Sequence, residues 1–147
     1  MKVSRAILMV SALLLILSPA ALASELRIAQ VADIASMDPQ KVNDVYSANV
    51  IRQVYSNLVQ VDENMQIIPD LAESWENPDN LSWVFHLRRG VAFHNGEPVT
   101  AADVKFTFDR FIDAATSNPS KASIGPLIGT EVVDDLTAKM TKAVLAP

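Results

Sequence analysis

The chain has 147 residues, half of which are hydrophobic, and carries a formal net charge of −5 at pH 7. A chain of this length can bury one hydrophobic core. The surplus of acids argues against a nucleic-acid partner, because phosphate binding requires clustered cations. The sequence contains no cysteine, which excludes disulfides and a lipid-bearing cysteine, so we expect a soluble protein rather than a lipid-tethered one.

The N-terminal residues have the pattern of a secretory signal peptide. Lys2 and Arg5 precede an apolar stretch from Ala6 to Leu17, and small residues lie at −3 and −1 relative to a cleavage after Ala23. We therefore predict a signal peptide over residues 1–23. A membrane anchor fits less well, because about twelve residues at ~1.5 Å each span only ~18 Å of a ~30 Å hydrocarbon core. Cleavage after Ala23 would remove Lys2 and Arg5, which takes the net charge from −5 to −7.

A strand and a loop are predicted at the start of the exported part. Residues Leu26 to Val31 alternate apolar and polar side chains, which predicts a first strand. The segment from Ala32 to Pro39 follows as a loop. In open α/β sheets, ligands bind beyond the carboxyl ends of the strands. We therefore expect this loop to form part of a cleft wall.

An amphipathic helix and a hairpin are predicted next. Residues Asp44 to Leu58 carry apolar side chains at helical spacing, with Asn43 or Asp44 as the N-cap. Two short strands, Leu58 to Val61 and Met65 to Ile68, flank the polar turn 62–64 and predict a hairpin.

The densest run of mutually consistent signals lies between Leu71 and Arg110. Residues Trp83 to Leu87 alternate as a strand with one apolar face. The Asn-Gly pair within His94 to Pro98 predicts a tight turn, and Thr100 with Asp103 predicts a capped helix. The apolar positions of that helix are Ala101, Val104, Phe108, Phe111, Ile112 and Ala115.

The last part of the chain predicts loops and a final hairpin. Residues 116–120 and 124–129 have the composition of connections. From Thr130 to Met140, two apolar stretches flank Asp134-Asp135, which predicts a hairpin in which Leu136, Ala138 and Met140 share one face.

The sequence of the central segment resembles the signature of one protein family. Leu71-Ala72-Glu73-Ser74-Trp75, followed by the run from Trp83 to Val104, resembles the signature of the bacterial extracellular solute-binding proteins of the peptide/nickel type, family 5. The resemblance spans about Leu26 to Met140. One departure is Asp79-Asn80 at the usual Asp-Gly turn, and asparagine tolerates the same left-handed conformation.

The resemblance implies an α/β fold of the periplasmic-binding-protein type (type II), in which two lobes are joined by a hinge. Because 147 residues are far fewer than the several hundred of such proteins, we interpret the chain as an N-terminal fragment. Residues 24–147 would then form an incomplete N-terminal part of the first lobe.

The same resemblance implies the periplasmic component of an ABC importer. It would capture di- or oligopeptides, deliver them to inner-membrane permeases, and be a monomer at full length. Nickel chelates, haem, opines and oligosaccharides are alternative solutes within the family. A periplasmic chaperone or chemoreceptor adaptor is an alternative role.

Three residues are candidates for lining the cleft, namely Ile34, Met37 and Tyr46, with ordinary packing as the alternative for each. In the family, the segment that ends in an Asp-Pro pair, matched here by Asp38-Pro39, borders the ligand. For Asp38 itself, we expect a role in capping the loop rather than ligand contact.

The sequence predicts no catalytic residue, resident metal or cofactor. It contains no Gly-x-Ser-x-Gly motif, and its four glycines form no phosphate-binding loop. His86 and His94 lack the spacing of a helical zinc site, and we expect them on a solvated strand face and in a turn. Trp75 and Trp83 are expected in the core rather than stacked on a ligand.

Overall fold

The computed structural model describes residues 27–143. The predicted signal peptide, residues 1–23, lies outside the described residues. So do Leu26, at the start of the predicted first strand, and residues 144–147.

The described residues form two α-helices, six strands and two short 3-10 turns. The helices are α1 (Val45–Val54) and α2 (Ala101–Ile112), and the turns are Ala114–Thr116 and Lys121–Ile124. The strands are β1 (Val59–Val61), β2 (Ile67–Pro69), β3 (Ala72–Glu76), β4 (Ser82–Leu87), β5 (Leu127–Asp134) and β6 (Thr137–Lys142).

The predicted aromatic strand lies inside the larger sheet. Four antiparallel strands are arranged in the order β3-β4-β6-β5, while β1 and β2 form a separate hairpin. On β4, Phe85 lies opposite Ala138 and Trp83 opposite Met140. Asn80, in the turn between β3 and β4, has a φ of 59°, so it adopts the left-handed conformation expected at this turn.

The core lies between this sheet and α2. Its buried members are Ala72, Leu87, Ala101, Val104, Ala138 and Met140. Helix α2 packs on β5 and β6. Two residues of the apolar face predicted for β4 contribute to the same core, Leu87 as a buried member and Phe85 packed against it. Trp75 and Trp83, expected in the core, are only partly buried.

Both helices begin at capping residues. The Asp103 carboxylate accepts hydrogen bonds from the Thr100 amide (2.8 Å) and the Thr100 hydroxyl (2.9 Å), which confirms the predicted start of α2. Asp44, rather than Asn43, caps α1 by accepting from the Ser47 amide at 2.8 Å. Each carboxylate satisfies backbone donors that have no partner within the helix.

The predicted first strand is wrong for the residues that the structure describes. Residues 27–31 are not in a strand, and Ile28 and Val31 are 82% and 92% exposed. An alternating pattern forms a strand only where a neighbouring strand supplies hydrogen bonds and apolar cover. Among residues 27–143, no strand pairs with this segment.

Other boundaries also differ from the predictions. Helix α1 ends at Val54 rather than Leu58, because the carbonyls of Asn57 and Leu58 accept from Leu71 and Ala72. Helix α2 ends at Ile112, and Ala115 lies in the following 3-10 turn.

The first predicted C-terminal connection is present, and the second is shorter than predicted. Residues 116–120 connect two 3-10 turns, with Thr116 and Asn118 buried. The predicted loop 124–129 is wrong in its last three residues, because Leu127 and Gly129 pair with Lys142 and Thr141. No helix between residues 27 and 143 is long and apolar enough to cross a membrane.

Removal of a core leucine should destabilise the fold far more than removal of a surface leucine. Leu87 is 2% exposed and Leu81 is 38% exposed. We expect Leu87→Ala to lower the free energy of unfolding by about 2–5 kcal/mol and Leu81→Ala by about 1 kcal/mol or less. Urea denaturation followed by tryptophan fluorescence measures both. Equal losses would contradict the position assigned to the core.

Candidate functional site

The predicted cleft-wall loop is folded around Asp38. The segment 33–41, here called the 33–41 loop, contains no regular helix or strand. Its turn is closed by the Ser36 hydroxyl, which accepts from the Asp38 amide (3.0 Å), and by the Asp38 carboxylate, which accepts from the Gln40 amide (3.0 Å). Asp38 therefore caps the loop as predicted.

The same carboxylate forms a two-point ion pair with α2. Arg110 donates from Nη1 to Asp38 Oδ1 (3.0 Å) and from Nη2 to Oδ2 (2.5 Å). The two side chains are 35% and 30% exposed. A planar guanidinium matches a carboxylate in this geometry, which gives stronger and more directional bonds than a neutral pair. The loop is thus joined to the last turn of α2.

Two further side chains bind the loop to the same region. Gln40, which is buried, donates from Nε2 to the Thr107 carbonyl at 2.8 Å. Lys41 donates from Nζ to the carbonyl of Thr116, in the turn after α2. The loop therefore contacts both the C-terminal part of α2 and the 3-10 turn that follows it.

Helix α1 holds the other side of the loop. The Ser47 side chain is fully buried, and its hydroxyl accepts from the Ala35 amide at 3.0 Å. Because the Ser47 amide donates to the α1 cap, this serine connects the first turn of the helix to the loop. The loop is fixed between α1 and α2.

Electrostatics keep Asp38 ionised. Hydrogen bonds from Arg110 lower the pKa of Asp38 from 3.8 to about 2, against the opposing effect of partial burial, and the Gln40 amide contributes further lowering. The same pairing raises the pKa of Arg110. At neutral pH both groups are therefore charged and bound to each other.

The three predicted cleft residues all lie on this anchored unit. Ile34 is partly buried, Met37 is 38% exposed and lies next to Asp38, and Tyr46 is partly buried in the first turn of α1. The hydrogen bond between Ala35 and Ser47 brings the backbones beside Ile34 and Tyr46 together. That these three side chains line a solute cleft stays a prediction.

Sequence reasoning missed Arg110 and Gln40 as partners of the loop. Arg110 lies 72 residues from Asp38, on the polar side of an amphipathic helix where solvated arginines are common. No local spacing rule links two residues so far apart, so the sequence offered no direct signal for the pair.

A separate depression of about 530 Å³ lies around His86 of β4 and the turn between β5 and β6. It is lined by Glu73, Ser74, His86, Leu87, Arg89, Asp134, Asp135, Leu136 and Thr137. His86 Nε2 lies 3.6 Å from a Glu76 carboxylate oxygen, and its Nδ1 lies 3.4 Å from the Thr137 hydroxyl.

Within residues 27–143, no three His, Cys, Asp or Glu side chains are placed to hold a metal ion. His94 lies in an exposed turn, as predicted.

Comparison with known families assigns the chain. Residues 66–144 match the family described as "Bacterial extracellular solute-binding proteins, family 5 Middle". The match covers more than half of the chain. The chain belongs to this family.

A well-matched relative is the periplasmic oligopeptide-binding protein OppA of Haemophilus influenzae. The two sequences are 39% identical over 111 residues, which cover 75% of this chain and 20% of OppA. The crystal structure of that OppA in complex with RPPGFSPFR superposes with a TM-score of 0.71 and 35% identity, covering 79% of this chain and 26% of that one. The chain therefore spans about a quarter or less of the length of these relatives.

Two further structures share this part of the fold with different solutes. NikZ from Campylobacter jejuni, in complex with Ni(L-His), has a TM-score of 0.67 and 30% identity, covering 76% of this chain and 22% of that one. MoaA from Agrobacterium tumefaciens R10, in complex with mannopinic acid, has a TM-score of 0.69 and 30% identity, covering 78% and 24%. The predicted α/β periplasmic-binding-protein fold class is confirmed, and the chain matches a part of it.

The ion pair between Asp38 and Arg110 should stabilise the fold in a pH-dependent way. Because the folded-state pKa of Asp38 is lowered to about 2, the stabilisation is complete above pH ~4 and is lost as the pH falls from ~4 through ~2. We expect the pair to contribute about 1 kcal/mol to the free energy of unfolding. This is less than the full pKa shift of Asp38 corresponds to, because both groups are partly exposed.

Urea denaturation between pH 5 and pH 2 measures this effect as the difference in unfolding free energy between the wild type and Arg110→Met. That difference should shrink as the solution is acidified. Arg52→Met is the matched control, because Arg52 occupies the last turn of α1 as Arg110 does in α2. A pH-independent difference for Arg110→Met would contradict the assigned pairing.

Proposed function

We propose that this chain forms one wall of the solute site in a periplasmic binding protein that captures di- or oligopeptides for an ABC importer. The observation that carries this proposal is the likeness to H. influenzae OppA in complex with a peptide, at 35% identity and a TM-score of 0.71. Membership of family 5 supports a binding role without chemical conversion of the solute.

Export to the periplasm is part of the proposal. The pattern of residues 1–23 is typical of a cleavable signal peptide, and the relative OppA is named as periplasmic. An acidic exported chain without cysteine suits a soluble protein in an oxidising compartment.

The anchored loop supports a cleft wall made for varied solutes. Peptide main chain can be held by hydrogen bonds from extended backbone, while roomy hydrated pockets accept different side chains. Ile34, Met37 and Tyr46 would supply apolar contacts from a surface that does not need to reorganise. Closure of two lobes around the solute then requires that the solute contact the closed state better than the open one, and inner-membrane permeases would receive the closed form.

Other solutes in the family form the second candidate. NikZ is known with Ni(L-His) and MoaA with mannopinic acid, so a nickel chelate or an opine is the main alternative to a peptide. Haem, an oligosaccharide, or a chaperone or chemoreceptor adaptor role are further alternatives within this fold.

A thermal-shift screen discriminates among these solutes. A ligand that binds only the folded state stabilises it by about 2.7 kcal/mol at a hundredfold excess over Kd, so di- to pentapeptides should raise the melting temperature of the full-length mature protein. Ni(L-His) and mannopinic acid are the comparison ligands. A response to either of these with none to any peptide would overturn the peptide assignment, and release of a converted solute would overturn the non-enzymatic role.

The role of Tyr46 can be measured separately. If its ring contacts solute, Tyr46→Ala should weaken the peptide found in the screen by about tenfold in Kd, the value of one lost aromatic contact. Tyr55→Ala is the matched control, because Tyr55 follows the same helix and is 46% exposed. Equal effects in titration calorimetry would show that Tyr46 only packs against the fold.

A further inference from the structure

The 33–41 loop depends on side-chain bonds for its shape. Among residues 27–143, no strand pairs with it, so ladder hydrogen bonds do not fix its backbone. Gln40 and Ser47 each make one neutral hydrogen bond across the junction. Arg110 makes two charge-assisted bonds to one carboxylate, and is therefore the strongest single anchor among these contacts.

Arg110 itself projects from a rigid element. Helix α2 buries Ala101 and Val104 in the core and packs Phe108 against it, so the guanidinium is carried by a helix that is held on the core. A rigid donor fork fixes both the distance and the orientation of the carboxylate that it binds. The position of Asp38 is thus fixed relative to the core.

The acids close to Arg110 in the sequence accept hydrogen bonds from other donors, so Arg110 is available to Asp38. Arg110 borders a shallow depression of about 420 Å³ together with Phe106, Asp109 and Asp113. The Asp109 carboxylate is bound by Lys105 at 2.5 Å, and the Asp113 carboxylate accepts from the Ala115 amide at 2.9 Å. Each local carboxylate has its own donor, which favours the long-range pair over a local one.

We propose that Arg110 is a positioning residue for solute capture, which acts through Asp38 to fix the 33–41 loop and with it the side chains of Ile34 and Met37. This inference rests on the proposed function. Asp38 Oδ1 accepts from both Arg110 and the Gln40 amide, so loss of the guanidinium frees the carboxylate to rotate away from the turn that it closes. The solute would then contact a 33–41 loop that is no longer fixed, and binding would have to order this loop.

Hydrogen exchange and peptide titration together test this role. Arg110→Met should speed amide exchange in residues 33–41 and raise the Kd for the peptide found in the screen, each by about tenfold, the factor for one charge-assisted bond. Arg110→Lys should fall between wild type and Arg110→Met, because an ammonium cannot form the two-point pair. Exchange of the β4 and β6 amides should not change, since the core is untouched.

Two further variants show whether the effect passes through Asp38. Arg52→Met removes an exposed cation from the last turn of α1, and should leave both readouts within about twofold of wild type. Asp38→Asn combined with Arg110→Met should be no worse than the more severe single variant, because both substitutions remove the same interaction.

Four results would each overturn the positioning role. The first two are faster exchange in residues 33–41 with an unchanged peptide Kd, and unchanged exchange in residues 33–41. The others are additive effects of Asp38→Asn and Arg110→Met, and faster exchange throughout β4 and β6. Wild-type protein that binds no peptide would overturn the proposed function and, with it, positioning for peptide. Arg110→Lys keeps the test decisive if Arg110→Met does not fold.

Discussion

The ion pair between Asp38 and Arg110 is the interaction on which the rest of the candidate site depends. It joins residues 72 positions apart and connects an irregular segment to a helix that is packed on the core. Backbone without a ladder must find its hydrogen bonds in side chains or water, and here one carboxylate closes the turn and binds the helix at once. Gln40 then adds a contact to α2, and Lys41 adds one to the turn that follows it.

The scaffold behind this loop is shared with binding proteins that hold different solutes. A four-stranded antiparallel sheet and α2 enclose the core, while the loop is presented beside them. The same part of the fold occurs in structures that hold a peptide, Ni(L-His) and mannopinic acid. A constant scaffold with different solutes indicates that specificity resides in loops and side chains rather than in the fold.

Features encoded over short distances were predictable from the sequence, and those that depend on distant partners were not. The alternation in β4, the pairing of Thr100 with Asp103, and the last hairpin all rest on residues a few positions apart. The turn of that hairpin lies at Asp135-Leu136, one residue later than predicted, because Asp134 belongs to β5. The alternation after Leu26 had the same appearance, yet residues 27–31 form no strand, since pairing requires a neighbour that no local pattern specifies. Arg110 could not be assigned to Asp38 for the same reason. The cleft residues Ile34, Met37 and Tyr46 remain predictions.

Photo-crosslinking with a solute peptide tests the central claim most directly, which is that the loop held by Asp38 and Arg110 faces the solute. A di- to pentapeptide with a photoreactive side chain would be bound to the protein, irradiated, and its adducts mapped by mass spectrometry. The account predicts adducts within residues 33–46, suppressed by excess unlabelled peptide. Competable adducts confined to the depression around His86, or to other parts of the sheet, would contradict it.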